Sequence, residues 1–212
     1  MSAPAVSVPP GRAGRLRLDR RLAAARSGAD LLDRKVRILT AELASLQETA
    51  RQTSLRWHSM ARDADERLLD ASLLGGQRAI RRAMPRDLGA VELTYAVTVG
   101  VRHPAGGSYA PPETPDCWTG QAIDAARRAY QAALAAAVAH ATAAAAVRAI
   151  ATEAAATRIR LRAIRDRLIP RLEQALADVI LAIDEQERGD AVRLRLAESA
   201  RVRPPPVPEP GA

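Results

Sequence analysis

Over its first third the chain carries an unbroken alternation of three- and four-residue steps between apolar or small side chains: Leu22, Ala25, Ala29, Leu32, Val36, Leu39, Leu43, Leu46, Ala50, Thr53, Trp57, Met60 and Ala64. An α-helix turns once in about 3.6 residues, so these steps return every one of those side chains to a single stripe. Sustained over about six heptads, such a stripe is a coiled-coil seam. After Gly28 no Pro or Gly interrupts it. The spacing predicts a helix from about Leu16 to Leu74, roughly 90 Å long at about 1.5 Å per residue. Gly75 and Gly76 end or kink it, and Gln77–Met84 reads as a short following helix before Pro85.

Composition fits a seam better than a globular core. Of 212 residues 48% are apolar, yet aromatics make up 2% and Phe is absent. Globular cores draw much of their buried area from aromatic rings, whereas Ala and Leu suffice between helices. The net charge is +8, and every basic residue except Lys35 is Arg. Acidic residues are interleaved with Arg along both halves, as on solvated helix faces, so the charge alone does not indicate nucleic acid. Cys117 is the single cysteine, which rules out an internal disulfide. Met1–Arg12 shows no apolar signal core. Ala132–Val147 is the most apolar stretch, but it is mostly Ala and is expected to fall short of a membrane span.

The middle of the chain changes period. Val91, Leu93, Tyr95, Val97, Val99 and Val101 alternate with Glu92, Thr94, Thr98 and Arg102, a strand signal that suggests two short strands of one hairpin. Pro104, Gly106, Gly107, Pro111, Pro112 and Pro115 read as a loop, with Thr114 or Asp116 as a cap for the next helix. From about Trp118 to Glu198 helix resumes. Its first part is Ala-rich, and its second shows Leu161, Ile164, Leu168, Leu172, Ala175, Val179 and Ala182 on one face. The step from Leu168 to Leu172 adds a residue to the rhythm and contains Pro170, which predicts a local unwinding or bend.

The fold class expected is therefore mainly α: a long antiparallel two-helix coiled coil with a small β-hairpin and loop insert between the helices. Residues 1–12 form a disordered N-terminus, 13–76 the first helix, 77–117 the insert, 118–198 the second helix and 199–212 a disordered Pro-rich tail. Helices that fold back on each other set the Ala-rich stretch against roughly Val36–Ala71.

Catalytic chemistry finds no footing in the sequence. There is no Gly-rich phosphate loop. His58, His103 and His140 lie far apart without nearby Cys or paired carboxylates, so no metal site is expected. Cys117 has no neighbouring His, and Asp184, Glu185 and Glu187 beside Arg188 read as surface ion pairs. No catalytic residue, cofactor or metal is assigned. One group stands out: Arg158, Arg160, Arg162, Arg165, Arg167 and Arg171 are denser than a solvated face requires. Arg158, Arg162 and Arg165 are expected to contact acidic loops of a protein partner. Nucleic acid is disfavoured, since no aromatic residues interleave with them for stacking.

Several segments together resemble the D subunit of V-type and A-type rotary ATPases, the central shaft. Pro10–Leu39 follows that family's opening pattern through Leu16, Leu18, Leu22, Gly28, Leu31, Leu32 and Lys35. Val99-Gly100-Val101-Arg102-His103-Pro104 is similar to its Gly-Val-x-x-Pro segment. Ile169-Pro170-Arg171-Leu172-Glu173, with Asp184–Arg188 and Arg193-Leu194-Arg195, is similar to its closing pattern. The chain departs from the family at Gly11, where Thr is usual, and at Arg160–Arg165.

The resemblance implies a shaft whose helices enter a ring of catalytic and non-catalytic subunits, bind a small F-type stalk subunit, and seat the insert end on a socket subunit above the membrane rotor. It places the chain in the cytoplasm, peripheral to a membrane it touches only through the complex, and coupling ATP synthesis or hydrolysis to ion transport. The competing readings are a prefoldin-like holdase, also helix–hairpin–helix, and a basic coiled-coil nucleic-acid scaffold, which rests on net charge alone.

Overall fold

The computed structural model describes residues 11–113 and 120–202. The elements follow in the order α1 (Arg12–Ala83), β1 (Ala90–Thr98), β2 (Val101–Ala110), α2 (Gln121–Ala163) and α3 (Ile169–Val202), with a five-residue π turn, Ile164–Leu168, between α2 and α3. The fold is mainly helical with one two-stranded antiparallel sheet between the helices. The caps expected at Thr114 or Asp116, Cys117, and most of the two terminal segments lie outside the described residues.

The residues pack as two units, one made of the chain up to Leu32 with Arg160 onward, the other of Asp33–Ile159. In the first, Leu18, Leu22 and Leu172 are buried together, with Ala25, Ile169, Ala175, Leu176 and Val179 packed around them. Arg26 meets Glu173 at 2.7 Å and Arg12 meets Glu187 at 2.8 Å, which fixes α1 and α3 as antiparallel.

In the second unit Leu39, Ile150 and Ala154 form one buried cluster, with Leu43, Leu46 and Val101 against it. Burying a Leu or Ile fully contributes about 1.5–3 kcal/mol, so Leu39 and Ile150 anchor this stretch. A second cluster holds Ala71, Ala83, Ile123 and Ala126. Lys35 pairs with Glu153 at 2.7 Å beside the first cluster, and between the clusters His140 Nδ1 lies 3.2 Å from the Ala50 carbonyl and Tyr130 donates to Asp65 at 2.6 Å. The Ala-rich stretch thus faces the part of α1 that the sequence assigns to it.

Gly76 sits inside α1 at φ 71°, ψ 166°, a conformation open to glycine and hostile to other residues. The helix kinks there, and the turns beyond it bring Ala79 and Ala83 back onto Ile123. A Cβ on Gly75 would lie 3.2 Å from the Ile123 side chain, so close packing also favours glycine at that position.

The insert differs from its sequence reading. Residues 104–107 read as loop, yet they lie in β2, paired with β1 from Ala90↔Ala110 to Thr98↔Val101. A two-stranded sheet has only edge strands, and an edge strand tolerates Pro104 because its N–H need not enter the ladder. The register shifts between Thr94 and Tyr95, whose partners are Gly106 and Pro104, so Ala105 is a bulge. The turn is Val99–Gly100, both with positive φ (49° and 81°), the handedness that suits a two-residue hairpin turn.

The hairpin lies along α2. Val101 packs on the Leu39–Ile150 cluster, and a Cβ on Gly107 would come within 2.6 Å of Thr142 and 3.0 Å of Val138. Ala-richness therefore serves two neighbours: small side chains let α1 approach one side of α2 and the hairpin another. The buried residues Ala133, Ala136, Thr142, Ala143 and Ala146 follow from that double cover. The helical run Gln121–Ser199 also contains an 18-residue window of mean hydropathy 1.6, apolar enough by length and composition alone to cross a membrane, contrary to the expectation for this stretch; 33% of that window is buried inside the protein.

The π turn stands where the seam gains its extra residue. Ile169 donates its N–H to the Ile164 carbonyl, five residues back instead of four. Pro170 has no N–H to give, and in a regular helix its ring would collide with the carbonyl four residues earlier. Widening the preceding turn removes that collision.

Candidate partner-binding surfaces

Along α1 the seam residues divide by depth. Leu22, Ala29, Leu39 and Ala64 are buried; Ala25, Leu32, Val36, Leu43, Leu46, Ala50, Thr53, Trp57 and Met60 are half-buried. Trp57 stacks on His140 with ring centroids 5.6 Å apart and 14° between planes, filling a span where Ala faces it with little bulk. His103 is buried within the hairpin, its Nε2 3.1 Å from the Thr98 hydroxyl and its Nδ1 3.1 Å from the Pro104 carbonyl. His58 bonds within its own helix, 2.7 Å from the Ser54 carbonyl. No group of three metal-capable side chains occurs among the described residues.

The Arg group is exposed, but the three residues singled out do not share a unit. Arg158 belongs to the second and donates to Thr40 Oγ1 at 2.9 Å. Arg162 and Arg165 belong to the first, and Arg165 lies within the π turn itself.

Local ion pairs dominate the rest of the surface. Hydrogen bonds from Arg51 and Gln52 hold the Glu48 carboxyl down at about 2. A hydrogen bond to Asp65, aided by partial burial, raises the Tyr130 phenol above its ordinary value. Hydrogen bonding to Glu187 likewise raises the Arg12 guanidinium.

Two apolar surfaces escaped the sequence reading. Around the Gly76 kink, Leu73, Leu74, Met84 and Leu88 are 77%, 80%, 63% and 96% exposed, beside exposed Arg78, Arg81 and Arg86. Part of the signal was present, since Leu69 and Leu73 fall off the phase set by Leu22–Ala64, whereas Leu74 stays on it. On β1 the alternating apolar side chains Val91, Leu93, Tyr95 and Val97 are all exposed, although alternation normally marks one buried face. Arg102 stacks over the Tyr95 ring at 4.1 Å.

Antiparallel helix pairing in each unit and a hairpin laid along α2 define a coiled-coil protein with outward-facing apolar and basic side chains. The family comparison says which: the family model for the D subunit of ATP synthase matches residues 15–199, and the chain belongs to that family. It is a central-stalk component of a V/A-type rotary ATPase, and not the catalytic one. No curated protein matches the chain.

Proposed function

We propose that the chain is the rotating shaft of its complex, coupling ATP synthesis or hydrolysis in a ring of catalytic and non-catalytic subunits to ion transport across the membrane. The family match over residues 15–199 carries this reading. The seam supports it: a helix pair locked by buried Leu39 and Ile150 is suited to transmitting torque. The small F-type stalk subunit binds along the shaft, and the kink end, with exposed Leu73, Leu74, Met84 and Leu88, seats on the socket subunit above the membrane rotor. The chain stays in the cytoplasm and reaches the membrane only through the complex.

Arg158, Arg162 and Arg165 contact acidic loops of the ring. Partly solvated pairs of this kind contribute about 0–1 kcal/mol each, weak enough to be made and broken as the shaft turns. Pressing different faces against different subunits then shifts the population of open and closed sites. Reconstitution tests this reading. Changing the three Arg together to Gln leaves helicity intact while weakening insertion into the ring and lowering coupled ATP turnover, and the difference from the parent shrinks at high salt, where the parent's own contacts are screened. Parental assembly and coupling by the triple variant would reduce these residues to a solvated face.

A further inference from the structure

Both strands of a two-stranded sheet keep one unpaired edge, and here the two edges are treated differently. β2 carries devices that discourage further pairing: Pro104 without an N–H, the bulge at Ala105, and the Gly106–Gly107 pair. It also lies nearer the helices, since Val101 packs on the Leu39–Ile150 cluster and Gly107 lies against Val138 and Thr142. β1 is the outboard strand, with its first six residues exposed. It runs nine residues, Ala-Val-Glu-Leu-Thr-Tyr-Ala-Val-Thr, without Pro, Gly or Lys. Its row of outward N–H and C=O groups is flanked by exposed Val91, Leu93, Tyr95 and Val97. An edge this long, regular and apolar invites pairing, and natural sheets do not leave such edges bare.

We propose that the outer edge of β1 accepts an extended strand from a neighbouring subunit of the same complex, a strand with alternating apolar residues and a carboxylate placed to meet Arg102. The inference rests on the reading of the chain as a stalk component. A strand is the occupant because it satisfies main-chain donors and acceptors while its alternate side chains cover the β1 apolar row. The acidic residue follows from Arg102, which stacks on Tyr95 and has no carboxylate within ion-pair distance among the described residues. A second copy of this chain is the weaker occupant, because pairing two β1 strands brings together two chains of net charge +8.

Hydrogen–deuterium exchange resolved to single amides tests the inference, comparing the free chain with the chain reconstituted with the stalk and ring subunits of its complex. In the free chain every second amide of Ala90–Thr98 exchanges rapidly, and in the complex those same amides become protected. Val97→Lys, at a side chain 66% exposed, leaves the circular dichroism of the free chain unchanged and lowers retention of the strand-donating neighbour roughly five-fold, the effect of losing about one cross-strand pair. Rapid exchange of those amides in a fully assembled complex overturns the inference and leaves the stalk reading standing. Failure of the chain to enter the complex overturns both. Protection that grows with concentration in the isolated chain shows self-pairing and also overturns it.

Discussion

Lys35 Nζ meets Glu153 Oε1 at 2.7 Å between α1 and α2, with side chains only 25% and 28% exposed. The buried Thr157 hydroxyl donates to the same oxygen at 3.4 Å. This pair differs from Arg12–Glu187, where both partners stand in solvent. Removing Lys35 leaves a half-buried carboxylate without its cation. Lys35→Met should cost about 1–3 kcal/mol in denaturant unfolding. Arg12→Met should leave the midpoint where it was. Pairing Lys35→Met with Glu153→Leu should recover part of the loss, because the carboxylate that Lys35 meets is then gone as well.

Ala146 is buried at 1% exposure on the crowded helix α2. Enlarging it forces neighbouring backbone apart, so Ala146→Leu should destabilise the protein by about 1–3 kcal/mol. The exposed Ala141 on the same helix provides the control, and Ala141→Leu should stay within about 0.5 kcal/mol of the parent. Equal midpoints for the two variants would mean that the space around Ala146 is not close-packed.

Val99 holds φ at 49°, where a β-branched side chain crowds its own backbone. Asn at this position of a two-residue turn suits both the conformation and the handedness of the hairpin. Val99→Asn should therefore stabilise the hairpin by about 1 kcal/mol, read as slower amide exchange at Thr98 and Val101. Unchanged or faster exchange would show that the valine side chain gains as much from contacts as it loses in strain.

The hydrogen bond to Asp65, followed by partial burial, raises the Tyr130 phenol. A group whose proton is held more tightly in the folded state adds stability that is fully present below its unfolded value, about 10 for tyrosine. That stability is lost as pH rises through the raised folded value. Ultraviolet titration should show a late-ionising phenol, and Asp65→Asn should bring it back toward the ordinary range. Tyr130→Phe should remove the late step and flatten the alkaline fall in stability.

Long-range regularity was the part of this fold most legible in the sequence. The Leu22–Ala64 rhythm marked the buried side of α1 because a seam repeats the same local requirement at every turn. The extra step at Leu168–Leu172, together with Pro170, marked the π turn for the same reason: it broke a rule that its surroundings obeyed. β2 was hidden because Pro and Gly are loop residues in most settings, and only the absence of a third strand lets them sit in this one. The cover over α2 was hidden as well. Alanine spacing tells how closely neighbours approach but not how many there are.

The π turn has a consequence for how the end of the chain comes loose. Helical order is cooperative because each hydrogen bond leans on its predecessor, so fraying that begins near Val202 tends to run inward. At Pro170 one rung of that ladder is missing and the next is offset by a residue. Unzipping arriving there has no bonded neighbour to propagate through, and the buried Leu172 must be exposed before the opening can reach that point. Pro170 thus works as a firebreak: the last turns of α3 can fray while the helix preceding the π turn keeps its order.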